Sequence, residues 1–412
     1  MQAVTNVIEA ISHSNARSEL RLDSGRVYSG NLRLGNLGCV TGANSHMYNQ
    51  TSGVLSLIDN IYIYDGSTLL DQLQSCHNMV AFRNLQRGNA YNFNVNQQLT
   101  ATTNAFEIPP DQNGVEIRRK VHIPRKLVGL ATNVLGTTFK GWLNLFSHFN
   151  VLEKLQYNMN GQTQSFIDTN VFPNFRIIIE WRSPVELVSC FAGVSTNAVA
   201  NILSPQLFAD EYVGLSLPKE KLAVQYFSYE LDKLVCIGSV GVGNLATKSR
   251  LNGFNGKFLN KILMMNVDPA QLTNDNATGD NGFKCDCSEM FPSEVLQLYI
   301  NGKTIFDANG IDTDARRLSI LTDAWGSLCI APFSAMYIAD STAAGNINSV
   351  ANVNAISQFG YWGCVVQANI TEFVAEHQRT VGGAVGSFNM YFWGEVVKTL
   401  QIENGAYIMA YA

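Results

Sequence analysis

The sequence predicts an all-β protein built from two β-sandwich domains in tandem, and three observations predict it. The first is one strand design written twice. Phe175, Ile177, Ile179 and Trp181 alternate with Arg176, Ile178 and Glu180, and Phe388, Met390 and Phe392 alternate with Asn389, Tyr391 and Trp393. Side chains two apart on a strand face the same way, so each run is one wall of a sheet with a buried face. The second is length: 412 residues exceed the size, about 250 to 300 residues, at which a single core stops growing. The third is composition. Hydrophobic residues make up 46% and charged residues only 15%, while the polar remainder leans on Asn, Ser, Thr and Gly, the turn residues that many short strands require.

Taken in order, the chain opens with Val4, Val7, Ile8 and Ile11 at helical spacing, which predicts a short amphipathic helix on an N-terminal arm of residues 1–25. Such a helix is marginal alone, so it is expected to dock on a neighbouring surface. Strands are predicted over 26–34 and 53–64, ended by the Asp65-Gly66 turn. Leu69, Leu70, Leu73, Cys76 and Val80 then predict a helix over 67–82 with Ser67 or Thr68 as its cap. The Asn- and Gln-rich stretch 84–104 reads as an exposed loop or edge hairpin. Strands follow at 115–123 and 127–131, a helical segment at 142–149, and short strands at 152–157 and 165–168 around Asn160-Gly161. After 206–213 the pattern breaks at Leu217-Pro218-Lys219, which divides the chain into a first domain over 26–216 and a second over 217–412.

The second half repeats the scheme. Strands are expected at 222–229, 257–267, 295–300, 329–338, 365–375, 388–396 and 399–411, with a helix over 314–325. Gly53-Val54-Leu55 and Gly256-Lys257-Phe258 open long apolar strands at about the same offset as the two alternating runs, which favours a duplication.

Chemistry-bearing constellations are thin. The six histidines are isolated, with none four residues from another beside a carboxylate, and the scattered cysteines include only one close pair, Cys285 and Cys287, so neither a catalytic nor a structural metal site is expected. Gly238 to Gly243 precede Lys248-Ser249, but Thr247 stands where a phosphate-binding loop needs Gly. Asp275, Asp280 and Asp286 lack calcium-loop spacing. Asp312 and Asp314 suit the start of the following helix, where a carboxylate complements the dipole.

Arg118, Arg119, Lys120, Arg125 and Lys126 form the strongest basic run, interleaved with Ile117, Val121 and Ile123 as on a strand with one solvated edge. The net charge of −5 argues against binding driven by phosphate neutralisation. No catalytic residue, cofactor or metal is assigned. A glycan-directed β-sandwich protein stays open as an alternative: Glu180 and Glu372 lack identifiable partners, while Tyr361 and Trp362 suit either a sugar or a protein interface. Residues 1–20 lack a basic segment followed by an apolar core, which predicts no signal peptide and a reducing compartment of synthesis. The sequons at Asn49, Asn276 and Asn369 are then expected to stay unmodified. No apolar run approaches the ~20 residues that span a bilayer as a helix.

The order of elements resembles a known family. Asp59-Asn60-Ile61-Tyr62-Ile63-Tyr64, then Asp65-Gly66-Ser67-Thr68-Leu69-Leu70, then His122-Ile123-Pro124 and Phe172-Pro173 resemble the first half of double jelly-roll major capsid proteins of small eukaryotic double-stranded DNA viruses, such as virophages and polinton-like viruses. Leu298-Tyr299-Ile300-Asn301-Gly302-Lys303 and the closing strands from Val381-Gly382-Gly383 to Tyr411 are similar to the second half. The pattern departs from the family at Arg125-Lys126-Leu127, where an apolar stretch is usual. The resemblance implies two tandem eight-stranded jelly-roll β-sandwiches with short helices in loops. It implies a homotrimeric capsomer of pseudo-hexagonal outline that tiles an icosahedral virion shell, and a chain made in the host cytoplasm. It also implies neighbouring capsomers, penton and minor capsid proteins and an underlying internal membrane as partners, no sequence-specific nucleic-acid contact, and Val4, Val7, Ile8, Ile11, Tyr361 and Trp362 as assembly contacts.

Overall fold

The computed structural model describes residues 2–41, 46–47, 54–86, 127–128, 141–159, 161–182, 189–190, 200–218, 221–267, 294–307, 309–326, 361–384 and 386–411. In the first alternating run, Phe175, Ile177, Ile179 and Trp181 are all buried in the strand Phe175–Trp181. That strand lies between Arg17–Arg21 and Ile58–Asp65, with Ser12–His13 and Thr68–Leu73 outside them. The second run forms the strand Phe388–Glu403, which occupies the same place in its own half, between Leu222–Cys236 and Phe258–Val267. Tyr361–Asn369 and the hairpin strand Ala406–Tyr411 complete that sheet.

The facing sheets correspond as well. Val27–Ser29 pairs with Gln162–Asp168 in the first half as Gly243–Arg250 pairs with Phe373–Val381 in the second, where Val295–Ile300 follows. The first half widens this layer to seven strands by adding Gln206–Val213, Arg33–Leu37, Gly141–Asn144, Gln156–Met159 and Gln2–Glu9. Among the described residues every strand pairing stays within residues 2–213 or within 222–411. Each half therefore holds two antiparallel layers closed over an apolar core, a double jelly roll.

The cores follow from the alternation. Between the first pair of layers lie Leu20, Ile61, Ile63 and Ile177 from one sheet and Leu34, Ile167 and Leu207 from the other. Between the second pair lie Leu234, Met264 and Phe392 against Leu296, Leu298 and Phe373. Fully burying one such side chain contributes about 1.5 to 3 kcal/mol. The first cluster also runs on into Tyr226, Tyr229, Trp393 and Leu400, so one apolar core crosses from half to half.

Several elements differ from the sequence expectation. The start is a strand, Gln2–Glu9, paired residue for residue with Gln206–Val213, and no helix forms over Val4 to Ile11. A full-length ladder outcompetes a helix too short to hold itself, and Thr5, Val7 and Ile8 are β-branched. Residues 12–13 and 17–21 join the other sheet, so the first 25 residues form no separate arm. The helix expected over 67–82 begins only at Cys76. Gly66, at φ +56°, closes a tight hairpin that pairs Thr68 with Asp65 and draws Thr68–Leu73 into a strand.

The segment 142–149 is the strand Gly141–Asn144 followed by a 3-10 turn, Leu145–Ser147, capped by the Asn144 side chain. Residues expected as a strand at 152–157 divide into a short helix, Asn150–Lys154, and the strand Gln156–Met159. The expected strand 365–375 is two strands, Tyr361–Asn369 and Phe373–Val381. The helix Asp314–Trp325 lies where expected, but Thr313 caps it, accepting from the Arg316 amide, and not the flanking aspartates. The expected strands 115–123 and 329–338, the loop 84–104 beyond residue 86, the basic run at 118–126 and the acidic loop at 275–286 lie outside the described residues.

Candidate assembly surfaces and the seam between the units

The strand Thr68–Leu73 carries one jelly roll onto the other. Leu70, Asp71, Gln72 and Leu73 are all buried, an unusual run for a strand beside a turn, because Leu222–Cys236 of the second unit packs against it. The facing side of that partner strand presents Tyr226, Ser228 and Glu230, all buried. Tyr226 donates its hydroxyl to Leu70 O at 2.5 Å, and Ser228 donates to Asp71 Oδ1 at 2.7 Å. The Leu231 amide donates to Gln74 Oε1 at 3.1 Å, and Trp393 Nε1 donates to Gln74 O at 2.9 Å. Tyr407 reaches Asp65 Oδ2 at 2.9 Å, and Asn150 Nδ2 reaches Phe227 O at 2.7 Å. Arg83 stacks over the Tyr229 ring at 5.0 Å, and Tyr229 donates to Glu395 Oε2 at 2.9 Å. Buried polar groups without partners are costly, so these bonds define which docking of the units is tolerated.

Charge is buried here too. Asp71 and Lys398 are each 2% exposed. Burial pushes the Asp71 carboxyl above the usual carboxylate range, opposed first by the charge of Lys398, and burial pulls the Lys398 ammonium below its ordinary value. Glu230 pairs with Lys257 and accepts from Tyr411 at 2.7 Å. Burial also raises the phenol pKa of Tyr226 and Tyr229, which keeps both hydroxyls available as donors.

The residues assigned to assembly from sequence divide into two groups. Val4, Val7 and Ile11 are 38%, 51% and 61% exposed, while Ile8 is partly buried and packs on the chain's own core. Tyr361 and Trp362 are each 1% exposed. Tyr361 packs on Phe82 with ring centroids 5.1 Å apart, and Trp362 lies beneath the Arg317 guanidinium. Both belong to the interior, because the first four residues of the strand they open are buried between the helix Asp314–Trp325 and the strand's own sandwich. Sequence reasoning missed Asp71, Gln74, Lys398 and Trp393. The one legible signal was the Tyr226, Ser228, Glu230 stripe on alternate positions of a strand otherwise expected to bury apolar groups.

Among the described residues no group of three His, Cys, Asp or Glu side chains could hold a metal ion. The buried His377 and Glu294 bond to each other, and Asn266, also buried, donates to Glu294 at 2.6 Å. No helix among the described residues is long and apolar enough to cross a membrane.

No family model matches the sequence, and no curated protein matches it. Solved structures do. PBCV-1 VP54, fitted into a cryo-EM reconstruction of the virophage Sputnik, superposes with TM-score 0.59 at 7% identity over 100% of this chain and 97% of its own. A 3.5 Å cryo-EM structure of the Sputnik virophage gives 0.58 at 9% identity over 100% and 88%. The mavirus major capsid protein gives 0.53 at 8% identity over 99% and 90%. The chain thus has the double jelly-roll fold of viral major capsid proteins over its whole length.

Proposed function

We propose that this chain is the major capsid protein of a double-stranded DNA virus, resident in the virion shell and acting by assembly and not by catalysis. The supporting observation is that the chains of solved capsid proteins align with both units together, while within this chain the two units repeat the strand order of one sheet and are joined by a polar seam. A closed ring of three copies needs a heterologous contact, one surface of each copy against a different surface of the next. Two similar units per copy give such a ring six similar sides, the outline that packs into a hexagonal lattice.

In this reading the chain divides near residue 217, with residues 2–25 joining the first unit and 217–412 forming the second. Val4 and Val7 on the sheet edge at Gln2–Glu9, and Ile11 just beyond it, face a neighbouring copy, since an edge strand with exposed apolar side chains invites a further partner. Neighbouring capsomers, penton and minor capsid proteins and a lipid layer under the shell are the partners this role entails. Synthesis takes place in the host cytoplasm. Of the features behind the alternative glycan-directed reading, Glu180 and Glu372 among them, surface display of Tyr361 and Trp362 is not met, since both are interior.

Light scattering on the purified chain tests the proposal. Three copies of the 45.3 kDa chain in one stable particle are expected. A clean monomer that binds oligosaccharides overturns it.

A further inference from the structure

A cavity of about 540 Å³ lies where the linker between the two units passes. Three pieces of chain meet there. The strand Gln162–Asp168 ends at Asp168, the linker runs by as Leu215 to Pro218, and the second unit adds Ile402 and the hairpin turn Asn404-Gly405, at φ +55° and +79°. Val27, Val171, Leu215, Leu217 and Ile402 give the cavity apolar walls. Its size and its few polar groups are those of a small-molecule site.

Two of those polar groups come without partners. Asp168 is the one charged side chain among the described residues that line the cavity. Its Oδ1 accepts from the Asn170 amide and from Asn170 Nδ2, both at 2.9 Å, while its carbonyl accepts from the amides of Val171 and Phe172, both at 3.0 Å. The turn therefore pins the carboxylate and leaves Oδ2 without a hydrogen bond to the protein. Tyr157 is 8% exposed, its ring held by Phe166 and Leu217, and its hydroxyl bonds to no protein atom. A phenol buried this far ordinarily has a hydrogen-bond partner. Burial, with the charge of Asp168 second, pushes this phenol up to about 12, so the hydroxyl keeps its proton at neutral pH. Asp168 is thus near enough for its charge to act on Tyr157, yet no hydrogen bond joins the two.

A carboxylate facing apolar walls selects a cation with a hydrocarbon body, because an anion would meet uncompensated like charge. Oδ1 is already engaged twice, so a planar guanidinium fork finds only one free oxygen. An ammonium group, a compact charge with three rotatable donors, fits that single oxygen and the phenol oxygen beside it. We infer that this cavity is a binding site for a small organic ammonium ion, with its nitrogen on Asp168 and Tyr157 and its hydrocarbon body against Val27, Leu217 and Ile402. Both units and the linker supply walls, so a bound ion ties one unit to the other. The site is complete within one chain and does not depend on assembly.

Isothermal titration calorimetry on the full chain tests this with three probes of matched length: hexylammonium, hexanoate and 1-hexanol. One hexylammonium ion per chain is expected, bound about tenfold or more tightly than either of the others, with a Tm that rises as its concentration rises. Asp168→Asn keeps an acceptor oxygen for the Asn170 turn and is expected to erase the preference for the ammonium ion. Tyr157→Phe is expected to weaken hexylammonium about threefold. Ser216→Trp starts from an exposed linker position on the cavity wall, so it fills the space without entering either core and is expected to abolish binding. That variant keeps the test decisive should Asp168→Asn fail to fold. Equal affinity for the three probes, binding without saturation at one per chain, or hexylammonium binding that survives Ser216→Trp overturns the site. Light scattering on the parent reports the trimer independently, so a failure here is distinct from a failure of the capsid reading.

Discussion

Gly394 shows how tightly single residues are specified. It sits in the middle of the strand Phe388–Glu403, between Glu230 on one side and Ile262 on the other. A Cβ at this position would stand 2.8 Å from Leu259 Cδ1 and closer still to the Phe254 ring, both wholly buried. The missing side chain is therefore space that Phe254 fills. Gly394→Val is expected to cost about 1 to 3 kcal/mol through overpacking, read as a lower denaturation midpoint with an unchanged slope. An unaltered midpoint would mean that Phe254 has somewhere else to go. Close approach, and not backbone freedom, explains this glycine, since its φ lies in the ordinary strand region.

At the scale of elements, the N-terminal strand decides what the sheet edge offers. Gln2–Glu9 covers the whole length of Gln206–Val213, so a chain beginning at residue 12 should keep both cores and expose that strand's outer edge. Hydrogen exchange at 206–213 is expected to speed up at least tenfold, with protection of Phe388–Glu403 unchanged and assembly beyond the trimer lost. Unchanged exchange at 206–213 would contradict the pairing. The same element marks where sequence reading stopped. Strands whose polar and apolar side chains alternate, such as Phe175–Trp181, were legible because alternation is a local property. Val4, Val7, Ile8 and Ile11 fit a helical stripe equally well, and only the ladder partner some 200 residues away chooses between the two. The hairpin at Gly66 misled for a related reason: the leucines after it have helical spacing, but the turn geometry returns them to the sheet. The seam was least legible of all. Asp71 and Ser228 are 157 residues apart in the chain, and neither carries a motif. Tyr361 and Trp362 looked like surface anchors because aromatic pairs suit both interfaces and cores, and only the helix Asp314–Trp325 covering them settles the matter.

For the whole molecule, the duplication that opens the sequence is also its architecture. Phe175–Trp181 and Phe388–Glu403 hold equivalent central places in two sheets of matching order, and an apolar core with a polar seam binds the two units into one body. The threefold particle proposed above would use both sandwiches, since two similar units in each of three copies give it six similar sides. Averaged electron micrographs of the purified protein test this most directly. The account predicts threefold particles with six lobes of nearly equal size in a hexagonal outline. Two-lobed particles that stay single at high concentration would contradict it.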